Sequence, residues 1–370
     1  MWLGFEPSTK LGKISITAES NRPENMNLFS LKKNKLSTIE SKPFEYEKDI
    51  QKIVEDNVEE LFNLSLVCTE FRVDEFRFDS VCFDEEANSF VIIEYKKDYS
   101  FSVVDQGFSY LSTMLQNKSD FILEYNETKG KTLKRNQVDW SQSKVIFVSP
   151  SFTPHQKNSI NFKDMPFELW EIKRFSKDLI SVDQIISSPK ESVKGLSKNT
   201  KFSNVNKEIK TYDLQYLLSG SSQKVKDLWG KIDARITKSD FSGTKYIYKK
   251  SYLRFCSENF VVICYFKFMK EVIDIEIMGG TIMGDGHKTK NFVELDDYKN
   301  LTKRKKEIWK DYERYLAEKQ GEIWKGDRKG MKDPVHHRYE LKIKDQKNIN
   351  YLVDLLQQRY HAVFNPNVKN

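Results

Sequence analysis

A chain of 370 residues, 38% hydrophobic and 13% aromatic, is too long for one small core and has the material for two packed domains. With 31% charged residues and no apolar run near the ~20 residues that cross a bilayer, a membrane-spanning helix is excluded. The net charge of +7 is compatible with a polyanion partner without requiring one.

Residues 1–25 are polar, contain Pro7 and Pro23, and lack the charged start and apolar core of a signal peptide. They are expected to be a disordered extension, or to follow an upstream start codon, since Met26 has the character of an ordinary start. Over residues 46–62, Ile50, Ile53, Val54, Val58, Leu61 and Phe62 recur at helical spacing, behind Pro43. Residues 66–71 and 76–83 alternate and are rich in β-formers, so two strands are expected. Asp84 to Asn88 reads as a hairpin turn. Residues 89–96 follow with Phe90 to Ile93 contiguous, the mark of a strand buried on both faces.

A helix over 104–115, a short strand over 120–125, a buried strand over 144–148, a helix over 152–160 entered through Thr153-Pro154, and a last strand over 168–173 complete the first domain. This is an α/β domain over residues 26–186, with a mixed sheet flanked by helices. Residues 187–210, rich in Ser, Lys and Asn, read as a linker. Residues 211–370 read as an α+β domain: helices over 212–218 and 225–236, and strands over 246–255, 260–268 and 271–277. A charged helix over 297–319, a strand over 339–343 and a closing helix over 348–360 follow.

Cys68, Cys82, Cys256 and Cys264 show no CxxC spacing and are expected to be reduced thiols of a cytoplasmic protein, without zinc or disulfides.

Chemistry is concentrated on the first hairpin. Arg77-Phe78-Asp79 lies on one strand, and Glu94-Tyr95-Lys96 on its partner. Side chains alternate along a strand, so Glu94 and Lys96 share a face and the hairpin brings Asp79 alongside. Two carboxylates at the end of an apolar strand repel each other unless a cation neutralises them. Hard oxygens in a small cluster suit Mg²⁺ or Mn²⁺, and Lys96 is placed to hold and polarise an attacking water.

These residues resemble the PD-(D/E)xK nuclease superfamily, and more closely a branch of uncharacterised bacterial proteins related to the NucS/EndoMS type of endonuclease domain, in which a C-terminal domain of unknown function often follows. The segments that carry the likeness are TEFRVDEFRFDSVCFDEEANSFVIIEYKK, SVVDQGFSYL, DWSQSKVIFVSPSFT and FELWEIKRF, within residues 44–175. The resemblance implies a restriction-endonuclease-like fold and a Mg²⁺-dependent deoxyribonuclease, an endonuclease of defence, restriction or repair, leaving 5′-phosphate and 3′-hydroxyl ends. It implies metal-binding roles for Asp79 and Glu94, with the Tyr95 carbonyl as a further ligand, a catalytic role for Lys96, and a place for Gln106 at the scissile phosphate or attacking water. Arg77 stands where related nucleases keep a basic residue, and Lys97 is a second expected nucleic-acid contact. A glutamate of the first helix is expected to support the metal: Glu47 by spacing, Glu55 in reserve. Phe78 stands where the motif's name has a proline.

Trp140, Trp170 and Tyr110 are read as packing residues. Lys249, Lys250, Lys288, Lys290 and the run from Lys303 to Lys306 have the charge to follow a phosphate backbone, but interleaved acids favour a solvated face. DNA is the expected partner. A homodimer is compatible with double-strand cutting, and the C-terminal domain is expected to choose targets or dock a protein. The alternative is a nuclease fold that binds nucleic acid or a partner without chemistry.

Overall fold

A computed structural model describes residues 28–97, 102–160, 165–185, 205, 207–282, 288–296, 303–308 and 335–364. The expected N-terminal extension lies outside these residues, as does most of the expected linker.

The chain opens with a hairpin of β1 (Leu28–Lys32) and β2 (Lys35–Ile39), then α1 (Glu47–Asp56) and α2 (Val58–Phe62). The helix expected over 46–62 is interrupted at Asn57, whose φ of −130° is not helical. A six-stranded sheet follows: β3 (Ser65–Val73), β4 (Phe76–Asp84), β5 (Ser89–Tyr95), β6 (Lys144–Ser149), β7 (Phe167–Phe175) and β8 (Leu179–Gln184), side by side in that order. β5, β6 and β7 are parallel and the other pairs antiparallel. The crossover from β5 to β6 carries α3 (Val103–Gln116) and α4 (Lys118–Lys129), and that from β6 to β7 carries α5 (Pro154–Ser159).

The run in β5 is contiguous because both faces are covered. Phe90 and Ile92 join the core under α3 and α4, whereas Val91, Ile93 and Tyr95 join Ile50, Val54 and Val58 on the side of α1 and α2. Gly107 lets α3 lie close to β7: a Cβ there would come within 2.6 Å of the Phe167 ring. Gly107→Ala is therefore expected to lower stability by about 1–3 kcal/mol in chemical denaturation, and an unchanged midpoint would contradict that packing.

The strand expected over 120–125 is instead part of α4. Phe121, Ile122 and Tyr125 are buried together at spacings of one and four, one side of a helix, and Gly130 ends it at a φ of +61°. β8 and the β1–β2 hairpin were not expected. β8 turns back after Lys177 and Asp178, both at positive φ, and its exposed edge lacks an apolar run.

The second sheet has the order β13-β14-β12-β11-β10-β9, all antiparallel. Its strands are β9 (Thr244–Tyr248), β10 (Leu253–Ser257), β11 (Val262–Phe268), β12 (Ile273–Ile282), β13 (Lys303–Ile308) and β14 (Val335–Ile343). A short α6 (Leu214–Leu217) precedes α7 (Gln223–Thr237), and α8 (Ile349–Phe364) closes the fold, with α7 and α8 packed in one core with the sheet. The strand expected over 246–255 is two strands, split by a turn in which Lys249 N–H donates to the Tyr252 carbonyl. Within the helix expected over 297–319, residues 303–308 form β13 paired with β14, and the rest is outside the described residues.

The fold is thus α/β with a mixed sheet flanked by helices and a second, antiparallel sheet with its own helices. Lys249 and Lys250, weighed above as phosphate contacts, pair instead with Asp84 at 2.7 Å and Asp139 at 3.0 Å, across the junction of the two sheets. Tyr252 and Arg254 both donate to Glu86 in the β4–β5 turn. Val205 and Ile209, inside the expected linker, are buried against the first core. All four cysteines are free. Among the described residues, no helix is long and apolar enough to cross a membrane.

Candidate active site

β4 and β5 pair from Asp84↔Ser89 to Ser80↔Ile93. The next link between them is made by a side chain: Tyr95 N–H donates to Asp79 Oδ2 at 3.0 Å. Asp79 therefore sits where the strands part, beside Glu94. Both carboxyls are buried, at 7% and 2% exposure, and near enough for the charge of Asp79 to act on Glu94.

Ser102 caps α3 by accepting from Asp105 N–H, which sets Gln106 in the first turn over the end of β5. Gln106 Nε2 donates to Glu94 Oε1 at 2.6 Å and to the Tyr110 hydroxyl at 3.0 Å, and Tyr110 donates to the Arg77 carbonyl at 3.3 Å. Lys96 Nζ donates to the same Glu94 oxygen at 2.6 Å. The other oxygen, Glu94 Oε2, is buried with no hydrogen-bond partner among the described residues.

Burial raises the Glu94 carboxyl, and the neighbouring Asp79 raises it further, to about 7. Burial also lifts Asp79 above the usual carboxylate range, against the Tyr95 N–H and Lys96. For Lys96, burial would depress the ammonium, but the Glu94 carboxylate outweighs it and holds it above its usual range. Ionised together, two buried acids beside one lysine would carry one negative charge more than it neutralises, and one acid oxygen lacks a donor among the described residues.

Those observations fit a divalent cation. No group of three or more His, Cys, Asp or Glu suited to a metal occurs among the described residues. A cation here would therefore take the Asp79 and Glu94 carboxylates and complete its shell with backbone oxygen, such as that of Tyr95, and water, as Mg²⁺ does.

The structure brings Asp79, Glu94, Lys96 and Gln106 together, with Glu47 at the rim. Glu47 is 45% exposed, accepts from Lys97 N–H at 3.1 Å and lies 3.9 Å from Lys96 Nζ, so it meets the lysines rather than the acid pair. Glu55, the reserve, bonds Ser80 and Gln51 instead. Arg77 pairs with Glu70 at 3.0 Å, and Lys97 Nζ donates to the Glu45 carbonyl, so both cations are already engaged. Tyr110, read from sequence as packing, also donates and accepts within the site. Its spacing of four from Gln106 was the available signal.

The raised Glu94 carboxyl predicts a pH dependence. A folded-state pKa of about 7, against 4.5, means that the folded protein holds this proton more tightly than the unfolded chain. The contribution is present below 4.5 and is lost as pH rises through about 7. In chelator, Glu94→Gln is expected to be more stable than the parent at pH 8 and to match it near pH 5. Equal melting temperatures of the two proteins at both pH values would contradict this.

No protein-family model matches the chain, and no solved structure matches it. An uncharacterized protein of Haemophilus influenzae is 46% identical over 208 residues, which cover 55% of this chain and 68% of that protein.

Proposed function

The chain belongs to one family with the uncharacterized Haemophilus influenzae protein, and from its buried acid pair we propose that it is a Mg²⁺- or Mn²⁺-dependent nuclease that hydrolyses DNA phosphodiester bonds. The observation that carries the reading is the Glu94 carboxylate, buried beside Asp79 with one oxygen unpartnered and the other held by Lys96 and Gln106. A divalent ion would supply charge to the phosphoryl oxygens and the leaving group. Asp79 and Glu94 would hold it.

Lys96 keeps its proton at neutral pH, so its role is to orient the attacking water and stabilise negative charge growing on the water oxygen. Gln106 donates its amide hydrogens to Glu94 and Tyr110, and so holds the Glu94 carboxylate in place beside Lys96. In the reaction the water oxygen bonds to phosphorus and the bond to the departing sugar oxygen breaks, the water giving up a proton to solvent and the sugar oxygen taking one up to leave as a hydroxyl. Arg77, two residues before Asp79 on β4, and Lys97, next to Lys96, would meet the adjoining backbone once released from Glu70 and Glu45. The PD-(D/E)xK resemblance of the motifs supports DNA as substrate and an endonuclease of defence, restriction or repair.

The test is incubation of the full chain with supercoiled plasmid, branched duplex and RNA in Mg²⁺, Mn²⁺ or chelator. Cleavage of DNA that stops in chelator is expected. Salt-sensitive binding without cleavage in either metal would favour the non-catalytic binding protein.

A further inference from the structure

The backbone that carries the acid pair is tied down a second time, on the far side of β5. Glu94 meets Gln106 of α3, whereas Tyr95 packs with Ile50 and Val54 of α1. On the α1 side the Ser80 hydroxyl donates to Glu55 Oε1 at 2.6 Å and lies 2.9 Å from the Tyr95 hydroxyl. Serine has one hydroxyl hydrogen and a carboxylate only accepts. That hydrogen therefore goes to Glu55, and Tyr95 donates to Ser80. Gln51 Nε2 shares its two hydrogens among Glu55 Oε1 at 3.0 Å, Thr69 Oγ1 at 3.0 Å and the Asp79 carbonyl at 3.2 Å.

Ser80 and Tyr95 are fully buried and Gln51 nearly so. A polar chain in such a place is stabilising only when every member is satisfied, and here each has its partner. Its two ends are the Asp79 carbonyl and the Tyr95 side chain. Those are the residues joined on the other side by Tyr95 N–H and Asp79 Oδ2. A shift of either strand would move the Asp79 carboxylate and the Tyr95 peptide together.

We propose that Glu55, Ser80 and Gln51 are positioning residues, a relay behind the sheet that fixes Asp79 and the Tyr95 peptide in the geometry a divalent cation needs. The relay explains why Glu55 is spent away from the acid pair. The proposal rests on the reading of Asp79 and Glu94 as a cation site, and its test separates the two.

The measurement is the dissociation constant of Mn²⁺ from the full chain, followed by the electron paramagnetic resonance of free Mn²⁺, with melting temperatures recorded alongside. Ser80→Ala and Glu55→Ala are expected to weaken Mn²⁺ binding by about ten- to a hundredfold, the usual effect of losing a group behind a ligand. Glu55→Gln keeps an acceptor for Ser80 and is expected to stay near the parent. Tyr95→Phe leaves the ring in the core and is expected to weaken binding about fivefold, the scale of one hydrogen bond, which keeps the test open if Ser80→Ala does not fold. For DNA cleavage the loss is expected in kcat, with KM unchanged.

Parent-like Mn²⁺ affinity in Glu55→Ala and Tyr95→Phe, with loss in Asp79→Ala, overturns the relay and leaves the cation site standing. Parent-like affinity in Asp79→Ala, or none in the parent, overturns both.

Discussion

Asp79→Ala is expected to lower plasmid cleavage in Mg²⁺ by at least about 10³-fold. A cation stabilises transition-state charge by several kcal/mol, each 1.36 kcal/mol is a factor of ten in rate, and Asp79 is one of the two buried carboxylates that meet at the strand ends among the described residues. The alanine also removes the acceptor of the Tyr95 N–H, so lost activity alone would not separate chemistry from folding. Asp79→Asn does. Its side-chain oxygen still accepts from Tyr95, and the repulsion with Glu94 disappears, so this variant is expected to melt no lower than the parent while cleaving as poorly as the alanine. Parent-like cleavage by either variant would remove the acid pair from the reaction.

Glu86→Ala is expected to destabilise the protein by about 3–5 kcal/mol, the effect of stripping a buried cation of its partner. The Arg254 side chain is 4% exposed, and its remaining described acceptor is the Phe260 carbonyl. Tyr252, half-buried, donates to the same glutamate at 2.7 Å, so one truncation takes the acceptor from two donors at the junction of the sheets. Replacing the cation is expected to be milder: Arg254→Met leaves Glu86 with Tyr252 as a donor and fills the space with apolar volume. Guanidinium denaturation checks the order. A loss below about 1 kcal/mol in Glu86→Ala would mean that the junction is solvated.

The β4–β5 hairpin was legible because three local signals agree there. Phe76 to Asp79 alternates apolar and polar, Asp84 to Asn88 is turn chemistry, and the apolar run ends on Glu94. The four residues that meet at the strand ends, Asp79, Glu94, Lys96 and Gln106, follow from that hairpin and the helix after it. The rest depends on contacts far apart in sequence. Nothing local distinguishes Glu55 from Glu47, and only the fold sends one to Ser80 and the other to the lysines. Lys249 and Lys250 look like any exposed basic pair until the second sheet meets Asp84 and Asp139. Phe121, Ile122 and Tyr125 fit a short strand or one side of a helix equally well, and the core under β3 and β4 selected the helix. Val205 and Ile209 were hidden by a polar neighbourhood, because composition averages over the two residues that anchor it.

The most direct test is a crystal soaked in Mn²⁺ and measured at the manganese absorption edge. One anomalous peak between the carboxylates of Asp79 and Glu94, with Lys96 turned towards the adjoining solvent, is the predicted result. No peak there at saturating Mn²⁺, with Glu94 still paired to Lys96, would contradict the account.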